Sequence, residues 1–142
     1  MIKVHQQTLA FGIRGRGFTD LTRDVASVVA ASGVHTGLCS LLVQHTSASL
    51  VIQENADPAV LRDLARWMTA LAPEGPGYEH DAEGPDDMPG HLRSAVTRTT
   101  ETIPVIAGRL GLGTWQAIYL WEHRNGAHRR SVVITVMGAP EA

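Results

Sequence analysis

The 142 residues suffice for one domain spanning 1–142, large enough to bury roughly 70% of its unfolded surface without disulfides or a structural metal. A net charge of −2 and a lone Arg129-Arg130 pair fall well short of the basic face that nucleic acid demands. No apolar run approaches the ~20 residues of a spanning helix, and the single cysteine, Cys39, sits in an apolar run, which excludes a disulfide framework or thiolate zinc site and points to a reducing cytoplasm.

In chain order, Ile2 to Phe11 alternates loosely as a strand, with Gly12, Gly15 and Gly17 forming a turn after it. Thr19-Asp20-Leu21-Thr22 offers N-cap oxygens to a first helix. Leu21, Val25, Val28 and Val29 fall at helical spacing there, and Gly33 provides the C-cap. Leu38, Leu41, Leu42 and Val43 predict a strand from 38 to 44, covered on both faces, and a second strand follows from Ala48 to Gln53. The break between them, His45-Thr46-Ser47-Ala48-Ser49, reads as a hairpin turn, or as an imidazole and several hydroxyls held for a ligand at a rigid strand end.

Asp57 at the N-cap and Pro58 at N1 open a second helix whose apolar face is Val60, Leu61, Leu64, Trp67, Met68 and Leu71. Pro73 to Pro89 is a long acidic loop carrying Tyr78, His80 and Asp86-Asp87. A short helix after Pro89 places His91 in its first turn, and Pro104 marks the strand from Thr102 to Ile106 as a sheet edge. Trp115 to Glu122 alternates as a strand with Trp115, Tyr119 and Trp121 on one face, and Asn125-Gly126 signals a hairpin to a last strand, Arg129 to Met137. The order of elements gives an α+β domain with a largely antiparallel sheet and two to three helices.

Three of the seven histidines have settings suited to chemistry: His45 at a strand end, His80 in the loop, and His91 four residues after Asp87. Three imidazoles with one position open suit a divalent metal, zinc favoured by nitrogen ligands without thiolate. Asp86 and Asp87 are read as orienting acceptors or as helix caps, capping being expected of at least one. Glu54 and Glu122 are candidate proton carriers or solvated strand ends. Arg129 and Arg130 are a candidate clamp for a small phosphorylated substrate, or surface charge.

Read together, HTSAS at 45–49, ENADP at 54–58, DDMPGHL at 86–92, TIPV at 102–105, LGTWQAIYLWEH at 112–123 and HRR at 128–130 resemble the YjbQ-type family, small proteins described as secondary thiamine-phosphate synthases. The resemblance covers most of residues 37–138, with Gly90 departing from the alanine more usual there. It implies a compact α+β fold assembled as a homotrimer, with His45, His80 and His91 gathered near a subunit boundary as a metal site. It also implies weak thiamine-phosphate synthase activity, joining hydroxymethylpyrimidine diphosphate to thiazole phosphate, with the metal or Arg129 and Arg130 neutralising the departing diphosphate. The low charged fraction and the aromatic strand face agree with subunit contact. Two other classes fit the same residues. One is a metal-dependent hydrolase of a phosphorylated or ester substrate with Glu54 or Glu122 as base; the other is a non-catalytic trimer binding a metal or small anion.

Overall fold

The computed structural model describes residues 1–142. Its elements run β1 (Lys3–Arg14), β2 (Gly17–Asp20), α1 (Thr22–Ser32), β3 (Thr36–Val43), β4 (Ala48–Glu54), α2 (Pro58–Leu71), α3 (Asp87–Val96), β5 (Thr100–Ile106), β6 (Arg109–Leu110), β7 (Gln116–Glu122) and β8 (Ala127–Ala139). The strands form two antiparallel sheets, a five-stranded one ordered β1-β8-β3-β5-β6 and a three-stranded one ordered β2-β7-β4. Their facing sides share one core, in which Cys39, Leu41, Val43, Val132, Ile134 and Val136 meet Leu50, Ile118 and Leu120, with Val25, Val28 and Val29 of α1. The expected α+β fold is thus present, built from valine-rich alternating strands that each give one face to that core.

Local signals place the helices as expected, with one shift. Asp57 caps α2 by accepting from the Ala59 amide at 2.9 Å, and Gly33 closes α1 in the left-handed region at φ 71°. α3 begins at Asp87 rather than after Pro89, because proline fits a first helical turn, where no amide is needed. His91 therefore lies a full turn beyond Asp87 instead of opening the helix. Neither aspartate caps it: Asp86, at the N-cap, makes no side-chain capping bond.

Both expected hairpins are instead crossings between sheets. β3 pairs with β5 and β8 while β4 pairs with β7, so residues 44–47 step from one sheet to the other. Asn125-Gly126 likewise joins β7 to β8 across the two sheets, and the two crossings touch where the His123 amide donates to the Ser47 carbonyl at 3.2 Å.

β3 is covered on one face only, since Leu38 and Leu42 are 49% and 41% exposed. The aromatic face of β7 is not free for a subunit partner, because Tyr119 and Trp121 are buried within the chain and only Trp115 is exposed. Phe18 of β2 fills that space, its ring centroid 4.6 Å from that of Trp121. Of the apolar face expected for α2, only Met68 is fully buried, while Trp67 and Leu71 are exposed. No helix is long and apolar enough to cross a membrane.

Gly37 and Gly138 face each other across β3 and β8, where a methyl group on Gly37 would strike the Met137 carbonyl oxygen and one on Gly138 the Thr36 carbonyl oxygen. Neither obstacle is a flexible side chain, so Gly37→Ala is expected to destabilise by about 2 kcal/mol or more through forced strand separation. A thermal melt of the variant that matches wild type would disprove this reading of the close approach.

Candidate functional site

α3 presents Asp87 and His91 at i and i+4, one above the other on the same helical face. The preceding loop folds back so that His80 Nε2 lies 2.6 Å from Asp87 Oδ2, and His91 Nε2 lies 3.4 Å from the same oxygen. The two imidazoles sit edge to face with centroids 5.3 Å apart. One ligand atom from each of His80, Asp87 and His91 falls within 4.8 Å of the others. Ligands at ~2.0–2.2 Å around a tetrahedral zinc stand about 3.3 Å apart, and the two imidazole–carboxylate separations, 2.6 and 3.4 Å, lie to either side of that spacing. Glu83, 3.4 Å from His80 Nε2, is a further oxygen at the rim.

Asp87 is buried, and burial alone would raise its pKa, but hydrogen bonding from His80 and the charges of Arg124 and His91 outweigh that and hold the carboxyl below its ordinary value. Arg124, from the crossing between β7 and β8, makes the support rigid. Its Nη1 reaches Asp87 Oδ1 and its Nη2 reaches Asp86 Oδ1, both at 3.2 Å. Asp86 also accepts from the Asn125 amide at 2.8 Å. The aspartates thus anchor the start of α3 to the sheet, and buried Gly90 lets the helix seat against Ser47, whose Cβ would lie 3.2 Å from an added methyl group.

The structure brings together two of the three expected metal histidines, with Asp87 rather than the third beside them. His45 Nε2 accepts from the Ser131 amide at 2.8 Å, which fixes the neutral ring's proton on Nδ1. Burial and the Arg130 charge lower its pKa in keeping with that bond. His45 shares an open cavity of about 570 Å³ with His91, Thr46 and Ser94, so it stands beside the cluster and outside its donor set.

The other expected residues are separated. Glu54 ends β4 opposite Gln116 while Ala48 starts it opposite Glu122, some 20 Å of strand away at ~3.3 Å per residue. Glu122 is locked rather than poised, bound by Arg130 at 2.6 and 2.5 Å and by the His123 and Arg124 amides at 3.1 Å. The Nη2 of Arg130 also donates to Ser47 Oγ at 3.0 Å. Adjacent strand residues point to opposite faces, so exposed Arg129 cannot join buried Arg130 in one clamp.

His123 escaped the sequence reading. It is buried, with Nε2 2.8 Å from Ser49 Oγ and Nδ1 unpartnered. Burial and then the Arg93 charge push its pKa down to about 4. An unfolded chain takes up this proton as pH falls through 6.5 and the fold does not until about 4. His123's contribution is therefore full above 6.5 and lost between 6.5 and 4, a fall of about 3 kcal/mol. His45 acts in the same direction. Denaturation midpoints of wild type against His123→Asn from pH 7.5 to 4.5 should show a shallower decline in the variant, and parallel curves would refute the assignment.

The chain matches the model of the family described as UPF0047 protein YjbQ-like over residues 7–139. It is 53% identical to a UPF0047 protein of Synechocystis over 94% of this chain and 92% of the relative. It is 42% identical to the UPF0047 protein YjbQ of Escherichia coli O157:H7 over 94% and 98%. A crystal structure from Sulfolobus solfataricus, described as a YbjQ-like protein of unknown function, superposes with a TM-score of 0.90 over 98% of this chain and all of that one, at 23% identity.

These relatives carry a family designation and no activity. The expected thiamine-phosphate synthase activity, and the metal-dependent hydrolase set beside it, are therefore corrected: nothing in the relatives indicates either reaction. The geometry agrees, since the arginine clamp is split across two faces, Glu54 is remote, and Glu122 is held in an ion pair.

Proposed function

We propose, from the premise that the chain belongs to the UPF0047 family of YjbQ-like proteins, that it binds a divalent transition metal between His80, Asp87 and His91. The observation that carries this is the convergence of two imidazole nitrogens on one buried carboxylate oxygen. A 6% exposed aspartate side chain held by an arginine gives the ion a fixed point, while the half-exposed histidines leave a coordination position toward solvent. Two nitrogens and one oxygen suit zinc, and equally other first-row ions of borderline softness. The test is calorimetric titration of untagged, chelator-treated protein with zinc, expected to saturate at one ion per chain. Saturation at a fraction of an ion, or none, removes the reading.

The homotrimer belongs to the same proposal, resting now on a different surface from the aromatic strand face. The outer side of the five-stranded sheet exposes Val4, Leu38, Leu42 and Met137, and the rows that join them across β1, β8 and β3 carry Gln, Thr, Ser and Val without a charge. An uncharged sheet face of this extent is suited to a second copy. Light scattering should give three times the 15.3 kDa chain mass, and Leu38→Lys should reduce it to one chain. A wild-type mass of one chain ends this part of the proposal.

A further inference from the structure

His91 and Arg93 are two positions apart on α3, so they leave the helix in nearly opposite directions, and Arg93 enters a second polar setting independent of the metal cluster. Arg93 is 3% exposed, yet no carboxylate pairs with it. Its Nε and Nη2 donate to the Ala72 carbonyl at 3.2 and 2.9 Å, which satisfies the C-terminal end of α2, and its Nη1 has no protein acceptor. The acid whose charge Arg93 feels is Glu74, which also faces Arg16, so the buried guanidinium has a shared counter-charge at a distance and no direct ion pair, a setting that a bound anion would improve.

Arg93 lines a cavity of about 110 Å³ together with Arg16, Gly17, Thr69 and Trp121. Arg16 reaches only Glu74, at 3.7 Å and at the surface. The remaining charged neighbour, Glu122, has its carboxylate occupied by Arg130. The cavity lining therefore holds two guanidiniums against one acid already paired with Arg130, with Glu74 at its edge shared between both arginines, and its positive field is felt as far as His123, whose pKa Arg93 helps to depress. Guanidiniums bind oxyanions through paired N–H donors. The volume lies below the roughly 300–1,000 Å³ of sites for drug-sized ligands, so it admits a phosphate- or carboxylate-sized group and not a nucleotide.

We propose that the cavity between Arg16 and Arg93 is a binding site for a small oxyanion of the phosphate or carboxylate class. Inorganic phosphate and acetate are titrated separately into the protein while the Trp121 indole N–H resonance is followed, with and without chelator. Saturable movement by either anion is expected, and which one acts assigns the class. Arg16→Gln, at a side chain 37% exposed, leaves the fold in place and should weaken binding about tenfold or more. Arg93→Lys keeps the buried charge and should retain part of the affinity. The proposal is overturned if neither anion gives a saturable shift, if Arg16→Gln binds as wild type does, or if chelator abolishes the response.

Discussion

Asp87→Ala is expected to cost the protein its metal, lowering zinc affinity by about a hundredfold or more, while His45→Ala stays within a few-fold of wild type. The loss of one donor in three exceeds the ~10–100-fold cost of removing a group that only hydrogen-bonds to a metal ligand. Asp87 is also the member to which both imidazoles point and the only one that is buried. His45 spends Nε2 on the Ser131 amide. His91→Ala should resemble Asp87→Ala, because helix α3 places the two on one face. Affinity should fall as the medium is made acidic, since imidazole binds metal only when neutral. Calorimetric titration of the three variants distinguishes the alternatives: if His45→Ala loses the ion and Asp87→Ala keeps it, the donor set has been misassigned.

Glu122→Ala is the second large effect, and it acts on folding. The carboxylate is 1% exposed and Arg130 5%, so the variant leaves a buried guanidinium with only Ser47 for company. Breaking a buried pair from one side costs about 3–5 kcal/mol, a large share of the ~5–15 kcal/mol available to a domain. The pair spans the gap between the two sheets at the end where both crossings meet, so its loss also loosens Ser47 and the His123 backbone. Replacing both partners, as Glu122→Met with Arg130→Met, removes the stranded charge and should recover much of the deficit. Urea denaturation of the single and double variants measures the difference. A Glu122→Ala protein as stable as wild type means that the pair contributes little.

Much of the fold was readable because its signals are local. Asp57-Pro58 and Gly33 mark helix ends by backbone chemistry, and the alternation along β3 and β8 reflects one buried face. Pairing partners were not readable, since Asn125-Gly126 specifies a tight turn but cannot say whether the strands it joins lie in one sheet. The burial of Tyr119 and Trp121 depended on Phe18, a century of residues earlier in the chain, in a strand hidden among glycines. At the site, His80 and His91 were found by residue type. The place of Asp87 between the two imidazoles was missed because the helix was started after Pro89, which left the D-x-x-x-H spacing at 87–91 off one helical face. Arg124, Arg93 and His123 carry no sequence signal of their roles, because those roles arise from which neighbours are absent or buried.

The pairing of β1 with β8 joins Lys3 to Gly138 and Arg14 to Ala127, so β1 has no partner until a strand more than a hundred residues further along the chain is synthesised. At 5–20 residues per second, β1 waits on the order of ten seconds on the ribosome with its backbone amides unpaired. The five-stranded sheet is therefore completed late, and an unfinished chain offers other nascent copies an open strand edge. Linking the two ends and opening the chain within residues 73–85 would bring β8 and β1 together as sequence neighbours. Such a circular permutant should refold faster than the native order, because its longest-range pairing has become its shortest.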